Sequence, residues 1–302
     1  MPAIPSSNAE TNLIDVGIVE NIDSKFVHAS FTSSSTILTL TNEGNLSEHF
    51  WGSGQLITQW SLELNTTVNS ATMDGSGNLV AIATPEGAFV VNIIQKTITR
   101  TLNSTNSVDY VLWDAEGDLW LAHYGGERRA KEHGTSGLTG MATEPHNTAL
   151  TSLALISENR IVTGGRDNLV KVSDQNGTVL HTLSDFSSYP TKIINDGNEN
   201  IIVGCVNGDL FRYSFSDWTK EELTIDSGQS ILSITMTDDN KILVGTQNGK
   251  LHVIDETNFT ELRSFSSPGR VIIANYGVDG ELYVISTFSS SSKIRLFDID
   301  TD

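Results

Sequence analysis

The residues with the clearest capacity for binding chemistry are three cations in the segment GGERRAKEHG, residues 125–134. Arg128, Arg129 and Lys131 fall within four positions of a chain that has 18 Lys and Arg residues against 37 Asp and Glu residues. An arginine guanidinium offers a planar fork of N–H donors that fits a carboxylate or a phosphate. The segment therefore predicts a recognition patch for an anion or an acidic peptide. A solvated loop, in which these cations pair with neighbouring glutamates, is the alternative.

Three histidines surround the same segment and could form a metal site with those glutamates. His123, His133 and His146 carry imidazoles, which are common ligands of zinc and other transition metals. Their spacings of 10 and 13 residues match no ligand motif. We therefore predict neither a bound metal nor a cofactor.

Motifs for catalysis are absent from the sequence. It contains no dinucleotide-binding glycine motif, no phosphate-binding loop, no HExxH zinc motif and no nucleophile elbow. Cys205 lies in an apolar run, where a buried inert thiol is expected because a reactive thiolate needs an electropositive environment. The sequence favours a protein without enzymatic activity.

The charge balance excludes several classes of partner. The formal net charge is −19, whereas duplex nucleic acid and anionic membranes both require a basic surface. The single cysteine, Cys205, permits no internal disulfide, which favours a reducing compartment. With no recognisable signal peptide, we expect a cytoplasmic protein that binds neither nucleic acid nor membranes.

An internal repeat supplies the elements that must position these residues. Seven segments share an alternating apolar run, a turn with Asp, Asn or Gly, and a second short apolar run. The second runs begin 40 to 42 residues apart, at Ile37, Leu79, Leu119, Ile161, Ile201, Ile242 and Leu282. Alternation with period two is typical of half-buried strands, and repeats of about 40 residues with four strands each are typical of β-propeller blades.

We therefore predict an all-β fold, a seven-bladed β-propeller with four-stranded blades, as a single domain over residues 12–302. The last unit ends after its third strand. Residues 12–20 are predicted to supply its outer strand and to close the ring, which removes an open sheet edge. Residues 1–11 are predicted to form a flexible tail.

One unit, residues 146–174, resembles a WD-repeat. The family pattern has a His before the first strand, an apolar residue four positions later, and a turn with Asp after the second strand. His146, Leu150, Thr163 and Asp167 occupy the matching positions, and Ser173 stands where the family has Trp. The resemblance implies that His146, Thr163 and Asp167 form a structural hydrogen-bond network within the blade.

The third unit breaks the repeat at the cationic segment. Its third strand should alternate apolar residues, but the corresponding residues 128–133 read RRAKEH. Burying unpaired charges between blades costs several kcal/mol, so we expect this strand to be short, displaced or half exposed. Aromatic residues on the same side of the molecule could extend the patch. The predicted partner-binding residues are Arg128, Arg129, Lys131, Tyr124, His133 and Tyr189.

These observations favour a non-catalytic scaffold that binds a protein or peptide partner, acidic in character, through its rim and central opening. This expectation depends on analogy between folds and on the missing catalytic motifs. The alternative is a propeller enzyme or small-molecule binder, similar to lactonases or lyases, with a site at the mouth of the channel.

Overall fold

The computed structural model describes residues 14–21, 24–33, 35–52, 55–104, 106–114, 117–123, 129–132, 138–141, 146–156, 160–174, 176–237, 240–266, 270–276, 281–288 and 291–298. The regular elements of these residues are 28 β-strands, which pair antiparallel in seven four-stranded sheets. Side chains are not described for residues 14–21, 51–55, 129–132, 138–141 and 270–298.

The strands of the first three sheets, in sheet order, are β2 (Phe26–Ser33), β3 (Thr36–Thr41), β4 (Asn45–Gly52) and β5 (Gln55–Glu63); β6 (Ser70–Met73), β7 (Leu79–Thr84), β8 (Gly87–Asn92) and β9 (Thr97–Asn103); and β10 (Val108–Trp113), β11 (Leu119–His123), β12 (Arg129–Glu132) and β13 (Leu138–Met141).

The next three sheets are β14 (Leu150–Ile156), β15 (Arg160–Gly165), β16 (Val170–Ser173) and β17 (Val179–Leu183); β18 (Pro190–Asn195), β19 (Asn200–Cys205), β20 (Asp209–Ser214) and β21 (Lys220–Thr224); and β22 (Ile231–Met236), β23 (Lys241–Thr246), β24 (Lys250–Asp255) and β25 (Thr260–Ser266).

The remaining sheet combines strands from both ends of the chain. Its order is β26 (Arg270–Tyr276), β27 (Glu281–Phe288), β28 (Ser291–Asp298) and β1 (Ile14–Asn21). β1 pairs antiparallel with β28, from Ile14 opposite Asp298 to Asn21 opposite Ser292.

The first strand of each sheet contacts the first strand of the next sheet. These contacts run from β2 to β6, β10, β14, β18, β22 and β26, and β26 contacts β2. The core lies between successive sheets, where the second strands β7, β15, β19 and β23 are buried along almost their whole length. Apolar side chains on both faces of these strands are therefore removed from water, which is the main stabilising contribution to the fold.

Close packing between sheets explains two glycines in the second strands. A Cβ atom at Gly164 would lie 2.7 Å from Cγ of Pro190, and one at Gly204 would lie 2.6 Å from Cγ2 of Ile231. Both distances are below van der Waals contact. The first strand of the next sheet therefore approaches the glycine backbone more closely than any side chain would allow.

The turns before the second strands depend on aspartates at equivalent positions of the repeat. Oδ1 of Asp74 accepts hydrogen bonds from the backbone N–H groups of Asn78 and Leu79, at 2.9 and 2.8 Å. Oδ1 of Asp114 accepts one from Asp118 at 2.8 Å. These carboxylates satisfy turn N–H groups, which is the common reason for aspartate in such turns.

Candidate functional site

The strand predicted from the cationic segment is present in the third sheet. β12 has four residues and pairs on both sides, with Arg129 opposite Ala122 in β11 and Lys131 opposite Trp120. Three predicted partner-binding residues, Tyr124, Arg128 and His133, lie outside the described residues. The patch therefore stays a prediction.

Tyr189, the remaining predicted partner-binding residue, lines a cavity where the first strands begin. The cavity has a volume of about 440 Å³ and is bordered by four consecutive sheets, those that begin with β6, β10, β14 and β18. Its polar and aromatic lining residues are Asn69, Asp109, Tyr110, Thr151, Arg166, Tyr189 and Thr191. We refer to it as the mouth cavity.

Arg166 and Tyr189 form one wall of the mouth cavity. Arg166 is exposed in the turn after β15, and its guanidinium lies 5.8 Å from the centroid of the Tyr189 ring, within range of a cation–π contact. The backbone N–H of Arg166 donates to the carbonyl of Ala149 at 3.1 Å, which holds the turn against the start of β14 in the same sheet. In the described part of the chain, the guanidinium makes no ion pair.

Asp109 and Tyr110 also line the mouth cavity. The hydroxyl of Tyr110 donates to the carbonyl of Thr151 at 2.8 Å and so links two neighbouring sheets. Burial and the nearby Asp109 carboxylate raise the pKa of Tyr110 to about 12, and burial raises the pKa of Asp109 above its usual range. At neutral pH the cavity therefore contains a neutral phenol, one carboxyl group and the guanidinium of Arg166.

One amide, that of Asn69, and two hydroxyls, those of Thr151 and Thr191, complete the polar lining. Nδ2 of Asn69 donates to the carbonyl of Val108 at 2.7 Å, whereas Oγ1 of Thr151 is buried without a hydrogen-bond partner among the described residues. An aromatic surface with one cation, one carboxyl group and an unused hydroxyl suits recognition of a polar peptide segment.

The residues assigned to the structural network form a continuous hydrogen-bonded chain. Nδ1 of His146 lies 2.9 Å from Oδ1 of Asp167, and Nε2 lies 3.0 Å from Oγ1 of Thr163. Burial lowers the pKa of His146, although the Asp167 carboxylate opposes this shift. Because a carboxylate can only accept, the neutral imidazole donates from Nδ1, and the Thr163 hydroxyl donates to Nε2. The network ties the segment before β14 to β15 and its following turn.

Gly165 is the residue around which this network packs. A Cβ atom there would lie 2.6 Å from Oδ1 of Asp167 and would also contact the imidazole of His146. The absence of a side chain at this position therefore permits the network.

Neither the cysteine nor the histidines form a reactive site among the described residues. Cys205 is a buried free thiol, and burial together with the Asp209 carboxylate raises its pKa to about 12. No group of three or more His, Cys, Asp or Glu residues in the described ranges could hold a metal ion. No helix in the same residues is long and apolar enough to cross a membrane.

Sequence reasoning missed Asp109, Tyr110 and Arg166. Asp109 and Tyr110 are indistinguishable in the sequence from ordinary residues of an alternating strand. Arg166 occupies a turn, where a charged residue needs no explanation.

No family model and no curated protein matches the chain. Among solved structures, it is similar to the WD40 β-propeller domain of Doa1, with a TM-score of 0.82 and 12% identity over 96% of this chain and 98% of that one. The chain is an all-β propeller with four-stranded blades. It is also similar to a chain in the crystal structure of the mitotic checkpoint complex, with a TM-score of 0.78 and 13% identity over 99% of this propeller and 96% of that chain.

Proposed function

We propose that this propeller is a non-catalytic, WD-repeat-like scaffold that binds a protein or peptide partner at the mouth cavity and the adjacent rim. The observation that carries the proposal is the pair Arg166 and Tyr189. An exposed guanidinium without a carboxylate partner in the described residues stands against an aromatic ring at the cavity edge. Arginine and tyrosine are the residue types that most often dominate the binding energy of protein interfaces.

We infer further that the blades form a closed ring of seven. Support comes from the seven four-stranded sheets, the pairing of β1 with β28, and the contacts between successive first strands from β2 to β26 and back to β2. In such a ring the first strands surround a central channel, and the mouth cavity lies at one end of it. In the repeat unit over residues 146–174, His146, Thr163 and Asp167 hold the blade together and are not available to a partner.

The free donors of Arg166 favour an acidic partner segment. A guanidinium can donate two parallel hydrogen bonds to a carboxylate while its face stays against Tyr189. The net charge of −19 repels acidic molecules at a distance, so binding must depend on this local cation rather than on long-range attraction. One similar propeller comes from the crystal structure of a complex, which agrees with a role in assembly.

The alternative, an enzyme or small-molecule binder, needs several converging acids or histidines. Among the described lining residues of the mouth cavity, Asp109 is the single carboxyl group. A catalytic centre would need more such groups, so the lining favours the scaffold. A cytoplasmic location also remains our proposal, because the one cysteine, Cys205, is a buried free thiol.

Affinity purification from source lysate with quantitative mass spectrometry tests the scaffold. We expect a stoichiometric partner with the wild type, and at least tenfold lower recovery with the double variant Arg166→Glu and Tyr189→Ala. Lys96→Glu reverses a charge in an exposed turn of another blade and serves as the control, which should retain the partner.

A second variant distinguishes binding at the mouth cavity from binding at the cationic segment, residues 125–134. It reverses Arg128, Arg129 and Lys131 to Glu. If recovery falls only with this triple variant, the rim segment is the interface and the mouth cavity is not. If wild type and both folded variants recover the same proteins in the same amounts, the scaffold proposal is wrong at both surfaces.

A further inference from the structure

Polar residues occupy one level of the first strands in six of the seven sheets. Each of these polar residues lies opposite the second-to-last residue of the second strand in its sheet. That opposite residue is Gly, Ala or Leu. The six pairs are His28 with Leu40, Ser70 with Ala83, Tyr110 with Ala122, Ser152 with Gly164, Lys192 with Gly204, and Ser233 with Gly245.

Three members of this level have protein partners. Oγ of Ser152 accepts a hydrogen bond from the backbone N–H of Ile193 at 2.8 Å, and the Tyr110 hydroxyl donates to the carbonyl of Thr151, so these two residues link neighbouring blades. Nε2 of His28 lies 3.1 Å from Oγ of Ser30. Ser70, Lys192 and Ser233 need a different explanation.

Lys192 is a partly buried cation that has no anionic partner among the described residues. Within those residues, no carboxylate contacts its ammonium and it makes no hydrogen bond. Burial lowers the pKa of Lys192, because the charged form has lost water and gained no counter-charge. Proteins rarely bury a charge in this way unless a bound group compensates it.

In the closed ring inferred above, Lys192 lies on β18, one of the first strands that surround the central space. Its charge contributes to the lowered pKa of His28, so the two side chains lie close enough to interact. His28 is on β2 and Lys192 on β18, and in the order of contacts between first strands β22 and β26 stand between them. The interaction must therefore cross the interior, not a shared blade interface.

Two unsatisfied hydroxyls lie at the same level. Oγ of Ser70, on β6 beside β2, and Oγ of Ser233, on β22 beside β18, are buried and have no hydrogen-bond partner in the part of the chain that the structure describes. Ser233 is only 5% exposed. Buried side-chain hydroxyls normally have a partner, so each of these is a donor without its acceptor.

We propose that the channel binds a single oxyanion, a phosphate or a carboxylate, at Lys192, with Ser70 and Ser233 as hydrogen-bond donors. Lys192 provides the charge and up to three N–H donors, and the two hydroxyls provide the donors that now lack acceptors. The proposal depends on the ring arrangement given under the proposed function, but not on the peptide partner at the mouth cavity. The channel is thus an internal anion site in a protein whose overall charge repels anions.

Thermal unfolding in phosphate, acetate or chloride at constant sodium concentration tests this site. We expect the midpoint of the wild type to rise saturably with phosphate or acetate, relative to chloride. Lys192→Met should lose that rise and, in chloride, should be at least as stable as wild type because an uncompensated charge is gone. Lys96→Met, at an exposed turn, is the matched control and should respond as the wild type does.

Ser233→Ala is a second variant that keeps the charge and removes one donor. It should weaken the apparent affinity several-fold without abolishing the response. A rise with phosphate alone identifies a phosphate ligand, and a rise with acetate alone identifies a carboxylate, such as an acidic side chain of a partner. Either result supports the site.

Two results would overturn the proposal. One is an equal rise in wild type, Lys192→Met and Lys96→Met, since phosphate also stabilises proteins by exclusion from their surfaces. The other is a clear loss of stability for Lys192→Met in chloride, which would mean that the lysine already has a partner in the folded chain. The Arg166→Glu and Tyr189→Ala variant should keep the anion response, so this site and the scaffold function can fail separately.

Discussion

Replacing His28 by glutamine should make the stability of this protein less sensitive to acid. Burial, followed by the Lys192 charge, lowers the pKa of His28 from 6.5 to about 4, and a hydrogen bond to the backbone of Ala71 opposes the shift. Nε2 of His28 lies 3.1 Å from Oγ of Ser30. The folded protein therefore holds a neutral imidazole at neutral pH, and glutamine can replace its hydrogen bonds without a titrating group.

The sign of this pH dependence follows from proton binding by the folded and the unfolded protein. Between pH 6.5 and pH 4 the unfolded chain protonates His28 and the folded chain does not, so lowering the pH favours unfolding. The contribution of the neutral His28 to the free energy of unfolding is complete above pH 6.5, and it is lost as the pH falls through about 4. Between pH 7.5 and pH 5, linkage gives a loss of about 2 kcal/mol from this one residue.

Urea denaturation of wild type and His28→Gln at several pH values between 7.5 and 5 measures this loss. The buried His146 also has a lowered pKa and contributes a slope of the same sign to both proteins, so the difference between them isolates His28. Titration of the His28 ring by NMR gives a second readout. Parallel stability curves, together with a normal His28 titration near pH 6.5, would refute the reasoning.

Three further outcomes concern the interior of the blades. Asp167→Ala should lower the free energy of unfolding by about 1–3 kcal/mol, measured by urea denaturation, because His146 loses the acceptor for its Nδ1–H group. Gly165→Ala should destabilise at least as much, since its Cβ would overlap both side chains; equal stability to wild type would contradict the packing. The Cys205 thiol should react with a thiol reagent only on unfolding; rapid labelling of native protein would contradict its burial.

The strands could be predicted from the sequence because every repeat unit has the same pattern of apolar and polar residues. The second strands beginning near Ile161, Ile201 and Ile242 are mostly apolar and are buried after their first residue, as expected where both faces of a strand are covered. The hydrogen bonds of His146 likewise connect residues whose types and spacing resemble a known motif.

The mouth cavity and the channel residues could not be predicted in the same way. Arg166 and Tyr189 belong to adjacent sheets, and their contact depends on how those sheets pack. Lys192 alternates like a solvent-exposed strand residue, and nothing in the local sequence shows that the folded protein partly buries it. The clustered cations of residues 128–133 are conspicuous in the sequence, whereas an isolated, partly buried cation such as Lys192 is not.

The pairing of β1 with β28 has a consequence for how the protein is made. Residues 14–21 are synthesised well before their partner strand, residues 291–298. At about 5–20 residues per second, synthesis of the residues between the two strands takes roughly 15–55 seconds. During that time β1 lacks its native neighbour and presents unpaired backbone groups. A nascent chain of this kind is exposed to strand exchange with other copies, so we expect the yield of folded protein to depend on chaperones that protect residues 14–21.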